Sequence, residues 1–155
     1  MPGEFGDMVK IAFEVGDENA GCEVETLWAT PLGGDLYRLQ NTPWFAYGVS
    51  YLDVVRARAV DDGFPVFEAV VEKSGNRTVR LILDRPAEPG NRSAEILDAL
   101  AALGAGYEGA NHKYLAVNIG PEVDFEHVCR FLSEKAAQWE HADPTYEQLY
   151  PDSAG

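Results

Sequence analysis

The chain of 155 residues is long enough to bury a sizeable core in one domain, and its 46% apolar and 25% charged residues exclude extended disorder. The formal net charge of −14 disfavours nucleic-acid binding, because that affinity depends largely on lysine and arginine side chains that neutralise phosphates. The sequence contains no uncharged apolar run of about 18 residues and no basic N-terminal start followed by an apolar segment, so we expect a cytoplasmic protein that does not bind membranes.

The first half of the chain alternates short apolar runs with turns rich in glycine and aspartate. Alternating patterns predict strands at 8–15, 22–29, 36–39, 53–60, 65–72 and 78–83. The turn at 33–35 predicts an antiparallel hairpin between the second and third strands, and the turn at 73–77 predicts another between the last two. Such strands predict an N-terminal small antiparallel β-barrel or bent sheet, which we place at residues 1–85.

The second half, residues 86–155, begins with prolines and then shows helical spacing. One helix is predicted from an N-cap at Ser93 to a stop at Gly104, and a second follows an N-cap at Asp124. With a strand at 114–119, and with 78–83 counted in, the order is strand, helix, strand, helix. This order predicts a ferredoxin-like or split α/β layer with both helices on one face. The acidic tail from Trp139 is expected to lie on the surface or fray. The class is therefore α+β, and the two halves could also form one integrated domain.

The most unusual stretch is an aromatic segment between the predicted strands at 36–39 and 53–60, and we call it the aromatic connection. Residues 42–51 contain four rings within eight positions: Trp44, Phe45, Tyr47 and Tyr51. Burial of each ring would contribute about 1.5–3 kcal/mol, which favours the core as their cover. Clustered Trp and Tyr are also typical of binding surfaces, so a ligand or partner remains the alternative. Pro43 and Gly48 predict an irregular backbone here.

Candidate catalytic residues are few. Glu108 and His112 lie in a glycine-rich segment before a predicted strand and could form an acid/base pair, although a loop histidine with a local hydrogen bond is the simpler interpretation. No serine, cysteine or aspartate is apparent as the third member of a triad. The glycine runs also lack the spacing of a phosphate-binding loop. Enzymatic activity is therefore less expected than binding alone.

Metal and cofactor sites are not expected either. The three histidines are dispersed along the chain, and Cys22 and Cys129 fall in no zinc or redox spacing. Whether the two cysteines pair is left open by the sequence.

Several stretches resemble a bacterial family known as domain of unknown function 4265. The resemblance covers residues 27–29, 35–51, 53–55 and 72–80 and continues through 109–112 to the second helix. It implies a compact bacterial protein of about this length, and it implies no activity. The features that recur in the family are the aromatic connection, the Ser-Gly turn and the Asn-His loop. Candidate binding residues are therefore Trp44, Phe45, Tyr47, Tyr51, Ser74, Asn111 and His112.

The small size, the acidity and the missing catalytic motifs favour a non-catalytic binding protein. It would present an acidic, aromatic-lined surface to a basic protein or peptide, as an immunity protein or an accessory of peptide biosynthesis does. One alternative is a small enzyme that uses Glu108 and His112. Another is a small-molecule or nucleotide-binding module in which Trp44 or Tyr47 stacks on a ring. The partner, the binding face and the oligomeric state are not determined by the sequence.

Overall fold

The structure is a computed structural model that describes residues 8–15, 24–109, 112–136 and 138–151. Within these ranges nine strands and three helices are present. The strands are β1 (Val9–Glu14), β2 (Val24–Gly33), β3 (Leu36–Leu39), β4 (Val54–Arg58), β5 (Val66–Glu72), β6 (Arg77–Ile82), β7 (Gly106–Gly109), β8 (Tyr114–Ile119) and β9 (Gln138–Asp143). The helices are α1 (Arg92–Ala102), α2 (Phe125–Lys135) and α3 (Tyr146–Leu149). None of these helices is long and apolar enough to cross a membrane.

The first sheet contains β1 to β5 in chain order, with each strand antiparallel to the next. A short parallel pairing of Ala12 in β1 with Val66 in β5 closes the sheet into a ring. The predicted hairpin of β2 and β3 is confirmed. Its turn contains Gly33 and Gly34 at φ values of 111° and 60°, a region of backbone conformation that glycine adopts at little cost. Alternate residues of these strands, such as Ile11 and Leu27, form an apolar core inside the ring.

The second sheet has the strand order β7-β8-β6-β9, and every neighbouring pair is antiparallel. Val79 and Leu81 of β6 pack with Leu100 of α1 and Leu132 of α2 in one apolar cluster. Both helices therefore cover the same face of this sheet, as expected from the sequence. Mostly antiparallel sheets with a few short helices make up the fold, which confirms the α+β class at this level.

The predicted hairpin between 65–72 and 78–83 is wrong. β5 pairs with β4 and β1, whereas β6 pairs with β8 and β9 in the other sheet. Residues 78–81 are buried on both faces of β6, and β5 has no fully buried residue. A strand that is buried on both faces is stabilised at the centre of a sheet, so burial outweighs the local turn chemistry at 73–76.

Two strands were missed by sequence patterning. β7 lies in the segment predicted as a glycine-rich loop, and β9 lies in the tail predicted to lie on the surface or fray. β7 has four residues, two of them glycine, and β9 alternates polar residues with Trp139 and His141. Both are edge strands, where one neighbour and a polar exposed side weaken the apolar signal.

One of the two predicted N-cap residues is confirmed, and the other is wrong. Asp124 caps α2 by accepting a hydrogen bond from the backbone N–H of His127 at 3.1 Å, as predicted. The cap of α1 is Asn91 instead of Ser93, and its side chain accepts from Ala94 N–H at 2.8 Å. Ser93 lies inside the helix, and its hydroxyl donates to the carbonyl of Arg85 at 2.6 Å.

Candidate functional site

The aromatic connection, residues 42–51, has an irregular backbone, as the sequence predicts. The stretch without helix or strand extends from 40 to 53, and β4 begins at Val54, one residue after the predicted start of that strand. The connection lies between the two sheets, and each sheet contributes one buried charged side chain that binds its backbone. Glu25 of β2 binds N–H groups, and Arg80 of β6 binds carbonyl groups. We call Glu25, Arg80 and residues 43–46 the backbone clamp.

Glu25 is on the inward face of β2, where it alternates with exposed neighbours and is only 5% exposed. Its carboxylate accepts hydrogen bonds from the N–H groups of Trp44, Phe45 and Ala46 at 2.6, 3.1 and 2.9 Å. Removing a carboxylate from water is costly unless hydrogen bonds replace the lost hydration. Three converging backbone donors supply that replacement and fix the path of the connection.

Arg80 is on the face of β6 opposite to the helices and is 1% exposed. Its guanidinium donates from Nη1 to the carbonyl of Phe45 at 3.2 Å and from Nη2 to the carbonyls of Ala46 and Pro43. Glu140 Oε2 lies 3.5 Å from Nη1, and the ring of Tyr47 stacks over the guanidinium at 4.8 Å. An arginine can satisfy several carbonyls at once because its donors form a rigid fork.

The four rings of the connection do not form one buried cluster. Trp44 and Tyr51 are half-buried, whereas Phe45 is 39% and Tyr47 56% exposed. Phe45 stacks on Tyr114 of β8 with ring centroids 5.7 Å apart. The rings therefore divide between packing and the surface, and Tyr47 is the most accessible of the four.

Tyr47 projects toward β9. Its hydroxyl donates to the carboxylate of Glu140 at 2.9 Å. Burial, followed by the hydrogen bond to Glu140, raises the pKa of Tyr47 above its usual value. Tyr47 is consequently a neutral donor at neutral pH and keeps its ring beside the surface of β9.

The two candidate catalytic residues are not joined by a hydrogen bond within the part of the chain that the structure describes. Glu108 lies in β7, and its Oε2 accepts from the N–H of Thr42 at 3.2 Å. The carbonyl of Glu108 also accepts from Trp44 Nε1 at 3.1 Å. His112 is exposed, and Asn111 lies outside the described residues. Glu108 thus anchors the aromatic connection.

Ser74, the candidate in the Ser-Gly turn, is also bound to the connection. Its hydroxyl donates to the carbonyl of Tyr51 at 2.7 Å, and its N–H donates to Asp53 Oδ1 at 2.8 Å. Asn76 Nδ2 donates to the same carbonyl of Tyr51 at 3.2 Å. These contacts attach the turn between β5 and β6 to the end of the connection.

A partly buried ionic cluster lies next to this turn, in which the exposed Lys73 bridges the buried carboxylates of Asp53 and Asp143. Lys73 Nζ is 2.6 Å from Asp53 Oδ2 and 2.5 Å from Asp143 Oδ2. The hydroxyl of Ser50 donates to Asp143 Oδ2 at 2.5 Å and lies 2.7 Å from the hydroxyl of Thr78. Ser50 is fully buried, so this arrangement does not present a nucleophile to a substrate. The cluster instead ties β9 to the connection.

Sequence reasoning missed an aromatic groove that lies along α2, β9 and α3. It consists of two adjoining cavities of about 520 and 610 Å³ that share Trp139, His141 and Tyr146. We define the aromatic groove by its rings, which are Tyr47, Phe125, Trp139, His141, Tyr146 and Tyr150. Tyr47 is the one ring of the groove that the sequence analysis selected. The spacing 139/141 on a strand puts two rings on one side, and the spacing 146/150 does the same from the first residue of α3 to its C-cap. These spacings are the signal that could have identified the groove.

His141 lies at the centre of these rings. Its ring centroid is 4.7 Å from that of Trp139, 5.7 Å from Tyr146, 6.1 Å from Phe125 and 6.3 Å from Tyr150. Burial lowers the pKa of His141, since an apolar surrounding disfavours the charged imidazolium. The imidazole is therefore neutral at pH 7.

Cys129 faces the same histidine, with Sγ 3.8 Å from His141 Nε2. Burial raises the pKa of Cys129 to about 11, so the side chain is a thiol at neutral pH. A catalytic Cys-His pair requires a thiolate or a base that readily forms one, and burial opposes both charged forms here. Cys129 carries a free thiol, and Cys22 lies outside the described residues.

The rim of the aromatic groove is acidic. Glu126 and Glu134 of α2, Glu140 of β9 and Glu147 at α3 line the two cavities, and Arg130 is the basic residue that lines them. Among the described residues, no three His, Cys, Asp or Glu side chains are grouped so that they could hold a metal ion. The groove thus combines carboxylates with aromatic faces, an arrangement suited to cations.

The environment of His141 predicts a pH dependence of stability. Below about pH 6.5 the unfolded chain binds a proton at this histidine that the folded state resists, so the free energy of unfolding should fall as the pH falls. Urea unfolding of the wild type and of His141→Phe at about pH 7.5 and 5.5 measures this loss. We expect His141→Phe to lose less free energy of unfolding over this pH range than the wild type does. The control His127→Phe removes an exposed histidine and should lose as much as the wild type. Equal losses in all three proteins would contradict the assignment.

The carboxylate of Glu25 predicts a specific stability change. In Glu25→Gln the amide retains one acceptor oxygen and gains an NH₂ group that faces backbone donors, so we expect a loss of about 1–3 kcal/mol in the free energy of unfolding. The exposed Glu72→Gln is the control and should change this free energy by less than about 0.5 kcal/mol. Urea denaturation compares the two variants with the wild type, and equal small effects would show that the clamp contributes little.

The fold is similar to that of a hypothetical protein from Neisseria gonorrhoeae of known crystal structure, with a TM-score of 0.72 and 17% sequence identity. The similarity covers 90% of this chain and 96% of that chain, and at this identity it shows the fold alone. No curated protein matches the chain.

Residues 25–142 match the family described as Domain of unknown function (DUF4265). The match begins at Glu25, includes Arg80 and all of the ionic cluster except Asp143, and ends before α3. The resemblance noted from the aromatic connection and the Ser-Gly turn is therefore confirmed, and the chain belongs to the DUF4265 family.

Proposed function

We propose that this protein is a non-catalytic binding protein whose aromatic groove receives a basic protein or peptide, in the manner of an immunity-type or biosynthetic accessory protein. The observation that supports this proposal best is the coincidence of aromatic rings and carboxylates along one groove. Four glutamates and one arginine, Arg130, line it, and Glu140 among these glutamates also contacts Arg80. Aromatic faces supply contact area, and the carboxylates complement a positive partner.

The charge of the whole chain supports the same proposal. A net charge of −14 creates a field that accelerates encounter with basic partners and repels acidic ones. The groove concentrates that charge next to apolar surface. Binding there would combine fast association with burial of aromatic area, whereas a uniformly charged surface would provide only the first.

The surroundings of the candidate nucleophiles and bases also favour binding over catalysis. Ser50 is buried, Cys129 is a thiol whose pKa is raised to about 11, and the carboxylate of Glu108 binds a backbone N–H. An enzyme that uses Glu108 and His112 would need these side chains to move together. The binding proposal needs no such rearrangement.

The finer architecture is part of this proposal. We propose that the first sheet is a small barrel and that the second half is ferredoxin-like. The connectivity β6-α1-β7-β8-α2-β9, with strand order β7-β8-β6-β9, supports the latter. A bacterial origin and a cytoplasmic location complete the proposal, and the free thiol of Cys129 agrees with a reducing compartment.

Charge reversal in the groove tests the proposal. The triple variant Glu126→Lys, Glu134→Lys and Glu147→Lys changes groove carboxylates, and the matched control Glu72→Lys, Glu88→Lys and Asp98→Lys changes exposed carboxylates elsewhere by the same net charge. The probe is a fluorescein-labelled peptide of alternating lysine, arginine and leucine, compared with its glutamate counterpart. Fluorescence anisotropy at several salt concentrations gives Kd.

We expect the wild type and the control to bind the basic peptide and not the acidic one. The groove variant should bind at least about tenfold more weakly and with a flatter salt dependence, because nearby charges dominate attraction within a Debye length. Equal weakening of the two variants would assign the attraction to the overall charge and contradict binding in the groove. Absence of basic-peptide binding to the wild type would contradict the proposed function.

A further inference from the structure

Resting on the proposed function, we propose that the cavity around His141 is a subsite for the cationic end of an arginine or lysine side chain of the basic partner. We call this 520 Å³ cavity between α2, β9 and α3 the cation subsite. Its walls are the rings of Phe125, Trp139, Tyr146 and Tyr150, with His141 at their centre.

The rings are close enough together to contact one bound group. The ring centroids of Tyr146 and Tyr150 are 4.8 Å apart, and both rings pack around His141 together with Trp139. Tyr146 and Tyr150 are 52% and 49% exposed, so part of each ring remains open to a ligand. Aromatic faces attract ammonium and guanidinium groups within about 6 Å of a ring centroid.

The aromatic faces of the cavity, together with its carboxylates, favour a cation over an anion or a neutral group. Glu126 and Glu134 of α2 line the cavity on either side of Arg130 along the helix. Burial disfavours the charged forms of His141 and Cys129, so these two side chains of the cavity are neutral at neutral pH.

Arg130 lines the cavity beside the two carboxylates, and the guanidinium of Arg77 lies 4.8 Å from the ring centroid of Phe125, so one ring of the cluster already contacts a cation of the same chain. The exposed rings of Tyr146 and Tyr150 are the ones that a cation of the partner would contact.

The same protein contains a precedent for this mode of recognition. The guanidinium of Arg80 lies 4.8 Å from the ring centroid of Tyr47 and within 3.5 Å of Glu140, so it contacts a ring and a carboxylate together. The cation subsite offers the same two kinds of contact in an open cavity. An arginine or lysine side chain from a partner would bury its apolar stem against the rings and keep its charge near Glu126 or Glu134.

Short peptides with and without the charge test the subsite directly. The probes are acetyl-Gly-Arg-Gly-amide and acetyl-Gly-Lys-Gly-amide, and their neutral counterparts contain citrulline or acetyl-lysine. Two-dimensional NMR titration of ¹⁵N-labelled protein gives Kd and locates the perturbed amides. We expect the cationic peptides to bind at least about fivefold more tightly than the neutral ones and to shift amides of α2, β9 and α3. A preference for either cation over the other agrees with the proposal.

Ring variants separate aromatic recognition from general attraction. Tyr146→Leu with Tyr150→Leu should weaken the cationic peptides at least about fivefold, whereas Tyr146→Phe with Tyr150→Phe should retain binding because both rings remain. Tyr107→Leu removes a comparably exposed ring from β7 and should bind as the wild type does. Circular dichroism confirms the fold of each variant.

Equal binding of charged and neutral peptides to the wild type would overturn the subsite, and so would unchanged binding to the folded leucine variant. If the short peptides fail these tests while the long basic peptide still depends on the groove carboxylates, the subsite is wrong and the proposed function stands. If the wild type binds neither the short cationic peptides nor the long basic peptide, both the subsite and the proposed function are refuted.

Discussion

Two buried charges of opposite sign determine how the chain's central segment is held, because they bind opposite poles of the same peptide groups. Glu25 takes the N–H groups of residues 44–46, and Arg80 takes the carbonyls of residues 43, 45 and 46. Each ion loses its hydration on folding, and each regains hydrogen bonds only if the segment follows one path. Two sheets that form separate cores are thereby joined through one stretch of backbone.

The aromatic groove depends on this arrangement. The clamp directs Tyr47 over the guanidinium of Arg80, and the hydroxyl of Tyr47 reaches Glu140 on β9. On the other side of the connection, Lys73 links Asp53 to Asp143 at the end of the same strand. β9 is an edge strand with one neighbour, so these contacts fix an element that pairing alone holds weakly. The rings that β9 contributes to the groove are positioned as a result.

Local patterns in the sequence predicted much of the fold. The strands of the first sheet, the β2–β3 hairpin, both longer helices and the irregular aromatic connection follow from alternation, glycine positions and capping residues. The strands that pair with β6 could not be predicted from these patterns, because the position of a strand at the centre of a sheet depends on burial by segments distant in sequence. The roles of Glu25 and Arg80 are likewise not predicted by the sequence, since single-residue polarity does not reveal a buried ion with backbone partners. Of the predicted binding residues, Tyr47 lines the groove, whereas Ser74 is bound within the fold.

The coupling between the two clamp residues tests the central claim most directly. A double-mutant cycle of Glu25→Gln and Arg80→Lys, measured by urea unfolding, gives their interaction free energy across the shared segment. Because either substitution loosens the same backbone, the double variant should lose less stability than the two single variants predict together, by at least about 1 kcal/mol. Additivity within about 0.5 kcal/mol would show that the two ions act independently and would contradict the account.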